Sequence, residues 1–122
     1  MKKLVLLVIS TFLLLMMPQA TAVNTVIRIT APVHQTFTGE FRNDDLAQLL
    51  TPSGDLGLKV YQPLAKNRTW VIDAALVDEV ILMSNEYVLA NEAQPAGKEI
   101  ATAWLTQLKR VTAGNDVVAL AY

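Results

Sequence analysis

Hydrophobic and polar residues alternate over two stretches near the start of the chain. Residues 26–30 place two isoleucines on one face and Arg and Thr on the other, and residues 36–41 place Phe37 and Phe41 inward. Alternation of this kind is typical of half-buried strands. Because only a short break around Pro32 separates the two stretches, we predict that they form a hairpin.

A short helix and a third strand are predicted next. Residues 43–45 (Asn-Asp-Asp) supply an N-cap and two acids for the positive end of a helix, and leucines then recur at helical spacing over residues 46–50. Leu58 and Val60 alternate with polar neighbours, which predicts a strand that ends near Pro63. The predicted order is strand, strand, short helix, strand.

Apolar residues at helical spacing dominate the second half of the chain. Asp73 can cap a helix that has an apolar stripe on one face. Asp78 and Glu79 are expected on the other face of this helix, in contact with solvent. After a break at residues 95–97, apolar residues recur every four positions around Trp104, which predicts a second helix with this Trp in the core. The last residues return to strand propensity, so the pattern predicts an α+β domain.

The first 22 residues have the organisation of a secretory signal peptide. Two lysines precede an apolar run of 14 residues (Leu4 to Met17), and Ala20-Thr21-Ala22 forms a small-x-small cleavage site. A membrane-spanning helix needs roughly 20 apolar residues, so the run is too short for one. We predict cleavage after Ala22 and export to the periplasm of a Gram-negative bacterium, with no stable membrane anchor after cleavage.

The predicted mature chain, residues 23–122, is expected to form a single domain. Without Lys2 and Lys3 it carries 8 basic residues against 11 acids, a net charge of −3, and no Cys. This balance argues against nucleic acid and against an anionic membrane surface as partners. With no disulfide, the exported domain must depend on packing or on a partner for its stability.

The sequence offers no arrangement of residues for catalysis, metal binding or cofactor binding. His34 is the single histidine and is expected to be solvated in a turn, so neither a metal site nor a Ser-His triad has its partners. Adjacent acids at positions 44–45 and 78–79 fit helix capping and a solvated face better than a carboxylate pair. We therefore expect the protein not to be an enzyme.

One segment has the residue types of a sugar site. Residues 60–73 (VYQPLAKNRTWVID) combine the aromatic side chains of Tyr61 and Trp70 with the hydrogen-bonding cation Arg68. The same residues also fit a structural role, in which a solvated turn follows the third strand and Trp70 packs at the start of the helix capped by Asp73. The structural role is favoured, and the three residues stay candidates for a ligand or partner surface.

Three segments resemble the GfcC family, periplasmic proteins encoded with capsule and O-antigen capsule export genes. Residues 60–65 (VYQPLA) are similar to the family's V-Y-W-P-G-A-x-L segment, although Gln62 and Leu64 replace its frequent Trp and Gly. Residues 103–108 (AWLTQL) resemble its A-W-L-x-x-L run, and residues 110–114 (RVTAG) the basic Val-Thr-Gly segment after it. Family members continue well past this point, which leaves open whether the chain is a full-length or a truncated member.

The resemblance implies both a fold and a function. The fold is a small β-grasp-like mixed sheet with strands over about residues 25–61, an inserted helical hairpin over about 73–109 and a return strand over about 111–122. The function is that of a non-enzymatic periplasmic accessory protein in the assembly or export of capsule-type polysaccharide, with other export proteins or the polysaccharide itself as partner. A periplasmic carbohydrate- or peptidoglycan-binding module is the alternative, and a small secreted inhibitor is a third hypothesis.

Overall fold

The protein combines a three-stranded sheet with four helices, as shown by a computed structural model that describes residues 24–121. The elements in chain order are β1 (Thr25–Ile29), α1 (Asp45–Leu50), α2 (Asp55–Tyr61), β2 (Arg68–Asp73), α3 (Ala74–Ser84), α4 (Lys98–Thr112) and β3 (Asp116–Leu120). The predicted signal peptide lies outside the described residues. Among residues 24–121, no helix is long and apolar enough to cross a membrane.

All three strands are parallel and lie in the order β1-β2-β3. Parallel neighbours cannot be joined by a tight turn, so helices make both connections: α1 and α2 join β1 to β2, and α3 and α4 join β2 to β3. The expected mixed sheet is therefore corrected to a parallel one. The coarser expectation, a domain of mixed helix and strand content, is confirmed.

The sheet has one buried face and one open face. In register, Trp70 pairs with Ile27 and Val117, whereas the next residue of β2, Val71, pairs with Arg28 and Val118. Successive residues of a strand point to opposite faces. The side with Trp70, which is completely buried, is the core face; the other side, where Val118 is 50% exposed, we call the open face.

The helices supply most of the core that covers the core face. The buried side chains include Leu46, Ala47 and Leu50 of α1, Leu56 and Val60 of α2, Leu76, Val80 and Met83 of α3, and Ala101, Trp104 and Leu108 of α4, together with Ile29, Trp70 and Ile72 of the sheet and Phe41 and Leu89 of the loops. The Trp104 Nε1–H donates to the Leu56 carbonyl oxygen at 3.0 Å. The predicted core position of Trp104 is confirmed.

The predicted hairpin of residues 26–30 and 36–41 is wrong. β1 forms its ladder with β2, and residues 34–42 instead fold back on themselves, with a single antiparallel bridge between Gln35 and Phe41. Gly39 supplies the turn with a φ of 90°. Phe41 is buried as predicted, but Phe37 lies at the tip of this loop and is fully exposed rather than inward. The alternating pattern is compatible with a hairpin of these two stretches. In the structure, β1 forms a more extensive ladder with β2, which is distant in the sequence.

The predicted third strand at Leu58 and Val60 is also wrong, because these residues belong to α2. Leu56 and Val60 are buried and stand four residues apart, the spacing of one helical face, whereas Leu58 is exposed at 36%. The helix packs tightly on α1: a Cβ added at Gly57 would lie 1.6 Å from the Thr51 carbonyl oxygen. Glycine is therefore required at this contact.

Residues 68–73 form the central strand rather than a turn that leads into a helix. Its sequence is nearly continuous in apolar and β-branched residues, as expected for a parallel strand that has neighbours on both sides. The strand ends at Asp73, whose Oδ1 accepts the N–H of Ala75 at 2.9 Å and caps α3. The predicted cap is thus confirmed, and Lys66 and Asn67 of the predicted turn are exposed just before β2, whereas Arg68 belongs to the strand and Trp70 packs in the core from the strand instead of at the start of the helix.

The two long helices and the final strand agree with the predictions. α3 and α4 fill most of the expected helical segment of about 73–109, with the break between them around Pro95 and Gly97, and β3 is the expected return strand. Both helices pack in the core and together connect β2 to β3, so they form part of the crossover and not a separate projecting hairpin.

Candidate functional site

The structure buries one of the three sequence-predicted candidates, Trp70, and holds Tyr61 and Arg68 in structural contacts. Trp70 is 0% exposed, because its side chain lies on the core face of the sheet and is covered by the helices. Tyr61, the last residue of α2, is partly buried against the same core. A buried indole ring offers no surface for a sugar to stack on, so the interpretation of Trp70 as a sugar contact is corrected.

Arg68 also has a structural role in this arrangement. Its Nη1 donates to the Ala65 carbonyl oxygen and its Nη2 to the Val111 carbonyl oxygen, each at 2.6 Å. The guanidinium carbon lies 5.7 Å from the centroid of the Trp70 ring, a cation–π distance. Arg68 therefore ties the loop before β2 to the end of α4, and both of its Nη groups donate to backbone carbonyls.

A surface groove of about 570 Å³ lies elsewhere, between the loop of residues 34–42 and the segment that links α3 to α4. This volume is within the range of about 300–1,000 Å³ that is typical of small-molecule sites. We call it the amide groove, and its lining residues are Gln35, Gly39, Phe41, Leu82, Asn85, Glu86, Tyr87, Val88, Gln94, Pro95 and Lys98.

An aromatic pair supports the amide groove. The rings of Phe41 and Tyr87 meet edge to face, with centroids 5.2 Å apart and planes at 70°. Backbone hydrogen bonds fix Phe41 on both sides: its N–H donates to the Val88 carbonyl oxygen at 2.9 Å, and its carbonyl oxygen accepts the Ala90 N–H at 2.8 Å. The pair joins the loop of residues 34–42 to the chain that follows α3.

Tyr87 also organises the start of α4. Its hydroxyl donates to Asp44 Oδ1 at 2.5 Å and accepts the N–H of Gly97 at 2.7 Å. The other carboxylate oxygen of Asp44 accepts the Ala96 N–H at 2.9 Å. Asp44 stands at the N-cap position of α1 but makes no capping hydrogen bond with its side chain, so it serves this network instead.

The environment of Tyr87 keeps its hydroxyl protonated. Burial of the phenol, reinforced by the hydrogen bond to Asp44, raises the pKa of Tyr87 to about 12. Gly97 is tightly enclosed: an added Cβ would lie 2.5 Å from the Tyr87 hydroxyl oxygen and 2.8 Å from Met83. The floor of the groove is thus a fixed hydrogen-bonded unit.

A buried carboxylate holds the loop that forms the other wall. Glu79 of α3 is 6% exposed, and its Oε1 accepts the backbone N–H groups of His34 at 2.9 Å and Gln35 at 3.1 Å. The Nδ1 atom of His34 lies 3.6 Å from Glu79 Oε2. Both residues were expected to be solvated, but Glu79 is buried and His34 is largely buried. The reason is that α3 directs the Glu79 carboxylate toward the backbone N–H groups of His34 and Gln35, which follow β1.

The rim of the groove is polar. Gln35 contributes a side-chain amide from the loop of residues 34–42, Asn85 and Gln94 contribute two from the segment that links α3 to α4, and Glu86 and Lys98 contribute one charge of each sign. Gln35 Nε2 donates to the Gly39 carbonyl oxygen at 2.9 Å, and Asn85 Nδ2 to the Ile81 carbonyl oxygen at 3.0 Å, which orients both amides. An amide presents donors and acceptors together, the combination that matches a hydroxyl group.

Sequence reasoning missed this site. Asp44 and Tyr87 are 43 residues apart, and His34 and Glu79 are 45 apart. No short-range pattern links such pairs: Asp44 alone fitted a helix cap, His34 and Glu79 alone fitted solvated positions, and no pattern singled out Tyr87. Within residues 24–121, no cluster of three or more His, Cys, Asp or Glu residues could hold a metal ion.

Comparison with known protein families, with curated proteins and with solved structures found no match to the chain.

Proposed function

We propose that the protein is a non-enzymatic exported accessory protein in the assembly or export of capsule-type polysaccharide, and that it holds a short stretch of glycan in the amide groove. The observation that carries the proposal is the lining of this groove, where three amides and one pair of opposite charges surround an aromatic and apolar floor. Other polysaccharide-export proteins are the proposed partners, and the periplasm is the proposed location.

The lining suits a sugar better than a wholly apolar ligand. Sugar hydroxyls both donate and accept hydrogen bonds. The side-chain amides of Gln35, Asn85 and Gln94 can accept from them through oxygen and donate to them through nitrogen. Leu82 and Val88, exposed at 43% and 60%, offer apolar surface to the C–H faces of a sugar ring. The fixed Phe41–Tyr87 floor limits the entropy lost on binding, because the site is already formed.

The resemblance to the GfcC family supports the polysaccharide role and is independent of the groove. The resemblance also implies a β-grasp unit, which we do not propose. Such a unit contains an antiparallel hairpin, whereas the sheet of residues 24–121 is parallel. The alternative, a carbohydrate- or peptidoglycan-binding module, uses the same groove and differs in the glycan that it selects.

Binding of the mature chain to a glycan array tests the proposal. The array carries capsule-type oligosaccharides and peptidoglycan fragments, and we expect retention of capsule-type sugars that Asn85→Ala and Gln94→Ala each weaken about tenfold, the loss of roughly one hydrogen bond to a polar ligand. Gln62→Ala is the matched control, since Gln62 is an exposed amide outside the groove. Retention of peptidoglycan fragments alone would favour the alternative, and binding that neither groove variant weakens would overturn the site.

A further inference from the structure

The final strand is exposed on both of its faces. β3 pairs with β2 on one side only, and Val117 on the core face and Val118 on the open face are each 50% exposed. Parallel sheets normally have both faces covered by other elements. β3 therefore presents apolar side chains together with a row of backbone N–H and C=O groups that no strand within residues 24–121 pairs.

The usual features that protect an edge strand are missing from β3. Its sequence, Asp116-Val-Val-Ala-Leu, contains no Lys, Pro or Gly, and its only charge is at its first residue. Natural edge strands are commonly protected by charged side chains within the strand, by prolines or by bulges. An unprotected edge with β-branched residues is suited to pairing with a further strand.

The open face by itself is too small to hold a second copy. Three strands at a spacing of about 4.8 Å and five residues at about 3.3 Å each give roughly 250 Å². A stable interface needs about 800 Å² on each partner. Face-to-face packing of two open faces would gain only apolar contacts over this area, whereas pairing along β3, which is also smaller than a standard interface, gains main-chain hydrogen bonds as well.

We propose that β3 is a homodimerisation edge, at which the β3 strands of two copies pair antiparallel about a two-fold axis through Val118. This register places Val118 opposite its own copy, Val117 opposite Ala119 and Asp116 opposite Leu120. The two Asp116 carboxylates then lie at opposite ends of the ladder, where their repulsion is weak. The result is a continuous six-stranded sheet, and the small area makes the dimer reversible and dependent on concentration.

The proposed dimer leaves both amide grooves free, because β3 contributes none of their lining residues. If the groove binds glycan as proposed above, one dimer presents two sites to a repeating polymer, which raises the overall affinity through effective concentration. The interface itself does not depend on that function, and its test uses no sugar.

Disulfide trapping tests the register, since the chain contains no Cys. In the proposed ladder, Val118→Cys brings two Cα atoms to about 4.5–5.5 Å, within the range of a disulfide. Val117→Cys is the matched control: it is equally exposed, but the two copies of this residue are offset by two positions and lie more than about 7 Å apart, too far for a disulfide. We expect oxidation to give a covalent dimer for Val118→Cys and at least tenfold less for Val117→Cys. Equal trapping of the two variants would overturn the register.

Sedimentation velocity over a concentration series tests the association itself. We expect the mature chain to dimerise reversibly, and Val118→Lys to weaken the dimer at least tenfold. Val26→Lys is the control, because Val26 is 59% exposed on the same open face but lies on β1, at the opposite edge of the sheet from β3. A wild-type monomer at every concentration would overturn the proposal, as would a dimer weakened by Val26→Lys and not by Val118→Lys. Circular dichroism of each variant checks that it is folded.

Discussion

The hydroxyl of Tyr87 donates a hydrogen bond to Asp44 over 2.5 Å, and so joins the segment after α3 to the start of α1. The same hydroxyl accepts the Gly97 N–H, and Asp44 accepts the Ala96 N–H. Two side chains thus satisfy backbone donors where α4 begins, beside the amide groove. Three segments of the chain therefore meet at this contact.

Removal of the Tyr87 hydroxyl should destabilise the protein. Tyr87→Phe leaves the Gly97 N–H and Asp44 without their partner in a partly buried site, so we expect a loss of about 1–3 kcal/mol in the free energy of unfolding. Urea unfolding measures this loss. Tyr61→Phe is the control, because no side-chain hydrogen bond of Tyr61 is found within residues 24–121. A Tyr87→Phe variant as stable as the wild type would mean that the network adds no net stability.

The same hydroxyl predicts a loss of stability at high pH. The pKa of Tyr87 is raised to about 12 in the folded protein, against about 10 for an unfolded tyrosine. Between these values the unfolded state holds fewer protons, so the stabilising contribution is complete below pH 10 and declines as the pH rises toward 12. We expect wild-type stability to fall more steeply than that of Tyr87→Phe over this window. Parallel pH dependences of unfolding in the two proteins would contradict the raised pKa.

The carboxylate of Glu79 should matter for both stability and the shape of the groove. Glu79→Ala leaves the N–H groups of His34 and Gln35 unpaired. Because one unsatisfied buried donor costs roughly 1–3 kcal/mol, we expect the free energy of unfolding to fall by about 2–4 kcal/mol. Glu79→Gln should lose less, because both N–H groups donate to Oε1, which an amide oxygen can replace. Urea unfolding orders the variants, with Asp78→Ala, an exposed neighbour on α3, as the control. Equal losses for Glu79→Ala and Asp78→Ala would contradict the anchoring role.

Some of this fold could be predicted because the signals are local. α4 is recognised from apolar residues four apart around Trp104, and the cap at Asp73 from the residue type that precedes an apolar stripe. α2 could not be assigned in this way, since Leu56, Leu58 and Val60 fit both a strand and a helix. The parallel sheet that excludes a strand there depends on β1 finding β2, more than 40 residues away. The amide groove has the same origin, because its walls come from contacts that only the folded chain brings together.

The two tryptophans offer a matched comparison of buried indoles. Both are 0% exposed, but Trp104 Nε1 donates to the Leu56 carbonyl oxygen, whereas Trp70 Nε1 is buried without a partner within residues 24–121. Trp104→Phe removes volume and also the hydrogen bond to the Leu56 carbonyl oxygen, so we expect a loss of about 2–4 kcal/mol. Trp70→Phe removes similar volume together with an unsatisfied donor, and should cost about 1 kcal/mol less than the change at Trp104. Thermal and urea unfolding measure the difference, and a greater loss at Trp70 would contradict this account of the two sites.

The contact between α1 and α2 predicts a severe effect of one methyl group. A Cβ at Gly57 would lie 1.6 Å from the Thr51 carbonyl oxygen, and this neighbour is backbone that cannot turn aside. We expect Gly57→Ala to separate the two helices and to cost about 3 kcal/mol, the upper end for overpacking. Gly114→Ala is the control: nothing lies within 4 Å of its added Cβ, but its φ of 75° is in the left-handed region and costs about 1–2 kcal/mol. Because the Trp104 indole N–H donates to the Leu56 carbonyl oxygen of α2, Gly57→Ala should also weaken the protection of this indole proton against hydrogen exchange, whereas Gly114→Ala should leave it unchanged. Similar exchange of this indole proton in both variants would show that the helices tolerate the added methyl group, and that Gly57 is not required for their close approach.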